Sequence, residues 1–327
     1  MANNILGVDP SILMGVLMQV GLLGEDEQFE DISIAGAGNM NLVVRFETTS
    51  RSLILKQSQP FVNKYPHIPA PQERIFVEHY YYQTIQSDHT LLQSSPLIIG
   101  FLPNWHLLVM NDLGPSADFT SIYQGNKGPT EYELEFLVAY LLRLHQLKVK
   151  KYPDNAGMKK LNHEHIFVFP FLEENGFDLN LVQDGLQDLA MRFKTDGKLK
   201  YAIDQVGERY LSSGRSLLHG DFYPGSWLRT SDGIKVIDPE FSFLGDPEFD
   251  LGVAIAHLMM AKASPQAIFQ LKALYVAENK LDLDLLDQYT GVEILRRLIG
   301  LAQLPLPLTL PEKQELADYS RNLILHK

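Results

Sequence analysis

Hydrophobic and polar positions follow two different periods in the first third of the chain. Ile12, Leu13, Val16, Leu17 and Val20 recur at helical spacing behind Asp9-Pro10, an N-cap with proline in the first turn, and Gly24 closes the stretch. After the acidic link Glu25-Asp26-Glu27, apolar and β-branched residues alternate over Phe29–Ile34, 41–47 and 52–57. This pattern predicts three strands, the last two joined by a hairpin loop at Thr48-Thr49-Ser50-Arg51. A helix over 73–85 and a strand over 105–110 complete a small, sheet-rich unit.

Beyond Leu113 the period becomes helical. Leu134, Phe136, Leu137, Tyr140, Leu141 and Leu144 mark a helix over 132–148, and segments 179–193 and 199–210 read the same way. A short β pair, 226–229 and 234–237, is joined by Thr230-Ser231-Asp232-Gly233, and helices return from Glu248 to the end. The expected architecture is α+β and bilobal, with a β-rich N-terminal lobe over 1–112, a larger helical lobe over 113–327 and the joint near 111–114.

Composition narrows the function classes. A chain of 327 residues suits two units of roughly 150 residues each. Forty acidic against 28 basic side chains give a net charge of −12, and no Lys/Arg run offers the basic face that nucleic acid needs. With no cysteine there are no disulfides, Cys-ligated metals or thiol nucleophiles. Met1-Ala2-Asn3-Asn4 lacks a basic signal-peptide start, and the longest apolar stretch, 251–261, is too short to span a bilayer and contains His257. The expectation is a soluble, cytoplasmic protein with neither nucleic-acid nor membrane partners.

The chemistry concentrates in Leu218-His219-Gly220-Asp221-Phe222-Tyr223-Pro224-Gly225-Ser226-Trp227 and, beyond it, Ile237-Asp238-Pro239-Glu240-Phe241. Asp221 follows a short apolar run, and Asp238 comes 17 residues later at the end of a hairpin. In a phosphoryl-transfer enzyme, two such carboxylates accept a hydroxyl proton and hold Mg²⁺. These motifs resemble the aminoglycoside phosphotransferase and choline kinase superfamily, which has a protein-kinase-like fold. Within it the resemblance is closest to the methylthioribose kinases. Ser226 stands where the wider superfamily has Asn, Asp238-Pro239-Glu240 offers two acids, and Ile294-Leu295-Arg296-Arg297-Leu298 resembles a C-terminal helix with paired arginines.

The resemblance implies Asp221 as catalytic base and Asp238 and Glu240 as Mg²⁺ ligands. Arg296 and Arg297 would steady the transferred phosphoryl group or the substrate. In the N-terminal, nucleotide-binding lobe, the loop Ala35-Gly36-Ala37-Gly38-Asn39-Met40-Asn41 would close over ATP phosphates with backbone N–H groups of Gly36, Gly38 and Asn39. Lys56 would contact the α- and β-phosphates, and Glu78 (with Glu73 as the alternative) would orient it. Val109-Met110-Asn111-Asp112-Leu113 resembles the adenine-binding hinge, with Met110 and Asp112 at its centre.

Other features have plainer readings. The same resemblance implies a hydrogen-bonding role for His219 and makes Asp250 an anchor for the Asp221 loop. Tyr80-Tyr81-Tyr82 and Leu258-Met259-Met260 lie within helical apolar patterns and read as core. In Asn162-His163-Glu164-His165 the two histidines, two positions apart, do not share a helix face, which argues against zinc. The first helix either covers the small lobe or joins a homodimer. The expected function is ATP- and Mg²⁺-dependent phosphorylation of a small-molecule hydroxyl, with methylthioribose or a related sugar as the acceptor. The alternatives are a choline, amino-alcohol or aminoglycoside kinase, or an inactive nucleotide-binding pseudokinase.

Overall fold

The computed structural model describes residues 5–7, 9–36, 38–125 and 128–326. Contacts divide the chain into two compact units, Met1–Ser116 with Thr230–Phe241, and Ala117–Arg229 with Ser242–Lys327. The sheet-rich first unit takes back a segment from the later chain, a return that the sequence pattern does not announce.

The first unit opens with α1 (Pro10–Gln19), where Asp9 accepts from the Ser11 N–H. There follow β1 (Phe29–Ile34), β2 (Asn41–Thr48), β3 (Ser52–Ser58), β4 (Phe61–Val62), β5 (Tyr65–Pro69), α2 (Arg74–Ile85), α3 (His89–Gln93), β6 (Ile98–Leu102) and β7 (Leu107–Asn111). Five strands form one antiparallel sheet in the order β1-β2-β3-β7-β6. Leu13 and Leu17 of α1 are buried against Val44, Phe46, Leu53, Leu55, Leu107 and Val109, so α1 covers the sheet. Period 2 then turns Ile54 and Lys56 of β3 to the opposite face.

The second unit holds β8 (Ala117–Asp118), α4 (Glu131–Gln146), α5 (Ala156–His163), α6 (Leu186–Lys194), α7 (Gly197–Leu211), β9 (Ser216–Leu218) and β10 (Trp227–Thr230). After β11 (Gly233–Val236), in the returning segment, come β12 (Phe243–Gly245), α8 (Glu248–Met260), α9 (Pro265–Glu278), α10 (Leu283–Ile299) and α11 (Leu310–Leu325). Antiparallel pairs β9–β12 and β8–β10 flank the helices. Buried residues of α6, α7, α8, α10 and α11 share one core with Leu218 and Phe243.

Differences from the sequence pattern have local causes. The helix expected over 179–193 is a 3₁₀ turn at Leu179–Leu181 followed by α6, because Gly185 adopts φ 79° and caps the new helix. β6 and α3 are additional elements, and the strand expected over 105–110 begins at Leu107 after a 3₁₀ turn. The two bulky runs are largely core: Tyr81, Tyr82, Leu258 and Met260 are buried, while Tyr80 is exposed. Among the described residues, no helix is long and apolar enough to cross a membrane.

Candidate functional site

In the first unit, Lys56 on β3 is buried, and its Nζ lies 2.8 Å from the Glu78 carboxylate on α2 and 2.7 Å from Asp238 Oδ1. Glu73, the alternative partner, is instead the exposed N-cap position of α2. Burial works against the Lys56 charge, but the carboxylates of Asp238, Glu78 and Glu240 outweigh it and raise the ammonium pKa. Glu78 is sealed from water, and burial pushes its carboxyl upward against the pull of Lys56. Asp238 has φ 64°, a left-handed backbone uncommon for a non-glycine residue, and its side chain remains 47% exposed. That strained backbone presents an accessible carboxylate beside a buried lysine.

Two positions later, Glu240 is buried. Its Oε2 accepts from Asn41 Nδ2 at 2.9 Å and lies 3.2 Å from Arg74 Nε. Around Lys56 there are thus three carboxylates against two fixed cations, Lys56 and Arg74. Hard oxygen donors with a surplus negative charge fit Mg²⁺, which takes one or two protein carboxylates and completes its shell with phosphate and water. Asp238 and Glu240 are the residues that would hold it.

The glycine-rich loop connects β1 to β2. Ala37 lies outside the described residues. A Cβ on Gly38 would stand 2.7 Å from the Asn41 carbonyl oxygen, so the loop's close return requires glycine there. The far end is tied down: the Asn39 and Met40 carbonyls accept from the Lys64 and Asn63 N–H groups at 2.9 and 3.3 Å. Gly36 and Asn39 are exposed. At the proposed hinge, Met110 is buried between Ile54 of β3 and Ile98 of β6 in the sheet register. The Asp112 carboxylate accepts from Arg45 Nε (2.6 Å), Ser52 Oγ (2.7 Å) and the Gly114 N–H (2.9 Å). Burial raises its pKa, but the bonds from Arg45 and Ser52 outweigh this and hold it below the usual range. Asp112 therefore braces the end of β7 through its side chain.

In the second unit, the chain leaves β9 into His219-Gly220-Asp221. Asp250 of α8 accepts from the His219 N–H at 2.7 Å and the Gly220 N–H at 2.9 Å, and His145 Nε2 lies 3.2 Å from the same carboxylate. The Asp221 N–H donates to His219 Nδ1 at 3.3 Å, and the Asp221 carbonyl accepts from Ser226 Oγ at 2.8 Å and the Tyr223 N–H at 3.1 Å. The main chain of Asp221 is fixed on both sides, and the residue stays half-buried.

On α10 the paired arginines converge on one buried acid. Arg296 Nε pairs with Glu293, and Arg297 Nε donates to Glu293 Oε1 at 2.9 Å. His257 Nε2 is 2.9 Å from Glu293 Oε1, while its Nδ1 is 2.5 Å from the Tyr123 hydroxyl. Burial raises the Glu293 pKa, but Arg296, Arg297 and His257 overcome it and hold the carboxyl well below its usual value. Burial works against the Arg297 charge, whereas Glu293 and Asp221 reinforce it and raise its pKa. Its guanidinium lies 5.4 Å from the Tyr223 ring centroid. His165, in the π-turn after α5, is 3.4 Å from Arg296 Nη1; burial and both arginines push its pKa down to about 3.

Sequence reasoning named Lys56 with its partner Glu78, Asp221 with Asp250 as the anchor of its loop, and Asp238, Glu240, Arg296 and Arg297, but missed the groups that hold Glu240 and the two arginines. Glu293 was within reach, since it sits three and four positions before the two arginines on one helix face. Arg74, four positions before Glu78, carried a similar signal. Tyr123, His257 and Asn41 carried none, because only the folded chain brings them to their partners.

An antiparallel sheet with a buried lysine–glutamate pair, and a helical unit carrying a braced His-Gly-Asp turn, place the chain among the kinase-like phosphotransferases. It belongs to the phosphotransferase enzyme family, whose model matches residues 31–283. A methylthioribose kinase from Exiguobacterium sibiricum is 29% identical over 265 residues, covering 74% of this chain and 64% of that protein. Methylthioribose kinase 1 of Oryza sativa subsp. japonica is 26% identical, covering 70% and 56%. The matched stretch thus spans less than two thirds of the length of these relatives. Among solved structures, choline kinase LicA from Streptococcus pneumoniae has a TM-score of 0.53 at 13% identity, covering 97% of this chain and 99% of that one. A spectinomycin phosphotransferase in complex with ADP and spectinomycin has 0.52 at 14%, covering 98% of each. These structural likenesses show the shared fold.

Proposed function

We propose that this protein is an ATP- and Mg²⁺-dependent cytoplasmic kinase that phosphorylates the anomeric hydroxyl of methylthioribose or a closely related sugar. The observation that carries the reading is Lys56, held charged and buried between Glu78 and Asp238. The names of the relatives at 26–29% identity support the acceptor. In this reading the lobe over 1–112 takes the nucleotide and the lobe over 113–327 takes the acceptor.

Lys56 binds the α- and β-phosphates, with Glu78 fixing its direction. Backbone N–H groups of Gly36, Gly38 and Asn39 cover the phosphates, and the main chain at Met110 to Asp112 meets adenine. Asp238 and Glu240 hold Mg²⁺, whose charge, when bound, offsets that developing on the phosphates. Asp221 accepts the proton of the acceptor hydroxyl as its oxygen bonds to the γ-phosphorus. The bond from that phosphorus to the β–γ bridging oxygen breaks, and ADP leaves with the electron pair. Arg296 and Arg297 would steady the transferring phosphoryl group or the substrate. Positioning and charge carry most of the rate, because phosphoryl transfer needs little covalent chemistry from the protein.

The test is a coupled ADP-release assay with Mg²⁺ and ATP against methylthioribose, ribose, choline, homoserine and kanamycin. Saturable turnover on methylthioribose alone is the expected result. Turnover confined to choline or kanamycin would overturn the acceptor and leave the phosphotransfer reading standing. ATP binding without turnover on any acceptor would overturn both in favour of a pseudokinase.

A further inference from the structure

Arg74 opens α2 one turn before Glu78 and is fully buried. Its Nη1 donates to the Gln59 and Pro71 carbonyls at 2.7 Å each, and its Nη2 to the Met40 carbonyl at 2.7 Å. These bonds alone would describe an arginine plugging the gap beneath a loop. Its Nε does something else. It donates to Asn41 Oδ1 at 2.9 Å and lies 3.2 Å from Glu240 Oε2, while Asn41 Nδ2 donates to that same Oε2 at 2.9 Å. Asn41, Arg74 and Glu240 thus close a three-membered ring of polar contacts, all buried. Asn41 is the first residue of β2, directly after the glycine-rich loop.

A glutamate has three side-chain torsions, and in a metal site their freedom must be lost before the ion can bind tightly. Groups that hydrogen-bond a ligating carboxylate remove that freedom in advance. One donor, Asn41 Nδ2, and the Arg74 guanidinium 3.2 Å away meet this requirement at one oxygen of Glu240, and the arginine also balances the charge of a carboxylate that would otherwise be buried alone.

We infer that Asn41 and Arg74 are positioning residues for the divalent cation: they lock Glu240 in its ligating orientation and tie it to the end of the glycine-rich loop. The inference rests on the reading that Asp238 and Glu240 hold the metal.

The experiment follows Mn²⁺ binding to the complex of this 327-residue chain with ADP by electron paramagnetic resonance. Metal-free ADP binding by calorimetry in EDTA and the thermal midpoint accompany it. Four variants are compared: Asn41→Ala, Arg74→Lys, Glu240→Gln and Asp238→Asn. Asn41→Ala and Arg74→Lys are expected to weaken Mn²⁺ by about 10- to 100-fold, the usual effect of losing a partner that orients a metal ligand. Metal-free ADP affinity of Asn41→Ala should remain at the wild-type level. Asn41→Ala deletes a single amide and keeps the test open should Arg74→Lys fail to fold. Wild-type Mn²⁺ affinity in Asn41→Ala, with Glu240→Gln weakened, would overturn the clasp and leave the metal reading intact. Equal losses of Mn²⁺ affinity, metal-free ADP affinity and thermal stability in Asn41→Ala would reduce the pair to scaffolding and overturn the inference as well. Wild-type Mn²⁺ affinity in both Glu240→Gln and Asp238→Asn would overturn the metal reading itself.

Discussion

His257 is wholly buried between the Tyr123 hydroxyl and the Glu293 carboxylate, and its protonation state affects how the paired arginines are held. Burial lowers its pKa to about 4, with Glu293 pulling the other way and the arginines adding to the depression. The unfolded imidazole titrates near 6.5, so between pH 6.5 and about 4 the unfolded chain binds the extra proton and the folded chain does not. Stability therefore falls as pH falls through that window, by roughly 3 kcal/mol from this residue. Glu293, also depressed, adds to the loss at still lower pH. Urea unfolding at pH 7 and pH 5 should show this slope in the wild type and a flatter one in His257→Gln, which keeps a donor and an acceptor but does not titrate. Equal slopes would mean that His257 is not the proton-linked group. Such partners stay hidden in a sequence because their chemistry depends on burial. The Arg296-Arg297 pair is legible as a motif, whereas the histidine and tyrosine behind it are ordinary helix and loop residues until the chain folds.

At the scale of elements, several of the strands and helices that carry the candidate site were legible, whereas β9, which leads into Asp221, was not. β2 mostly alternates buried and half-buried positions, and the buried residues Ile75, Glu78, Tyr81, Tyr82 and Ile85 of α2 recur at helical spacing. β6 was not legible, since Ile98–Leu102 is a short apolar stretch broken by Gly100, and no period distinguishes it from a loop. In the loop between β1 and β2, sequence and geometry constrain one another at Gly38. Gly38→Ala puts a Cβ 2.7 Å from the Asn41 carbonyl oxygen, a backbone atom that cannot swing aside as a side-chain tip can. The loop must open, which displaces the N–H groups proposed to meet phosphate. Calorimetry should find ADP bound about tenfold more weakly, or 1.4 kcal/mol. The thermal midpoint should scarcely move, because the loop contributes little to the core. Unchanged ADP affinity would remove the loop from the nucleotide site.

Across the whole molecule, the net charge of −12 does not favour a nucleotide, so the attraction that the proposed function requires would come from a few fixed cations rather than from the overall field. In the proposed function Lys56 would supply it in one unit and Arg296 and Arg297 in the other, each paired with a buried acid. The proposed base, Asp221, belongs to the second unit and Lys56 to the first. This division makes nucleotide binding and proton acceptance separable by mutation. The loop around Asp221 is braced through its main-chain N–H and carbonyl, to His219, Tyr223 and Ser226, and through Asp250. Asp221→Asn preserves all of these while removing the carboxylate that would take the proton. Its kcat should fall by about 10² to 10⁴, the range for a positioned acid/base group, with ADP affinity unchanged. A parallel loss of ADP binding would point to a collapsed loop instead. Turnover near the wild-type rate would show that the acceptor proton leaves by another route, and Asp221 would lose its place in the mechanism.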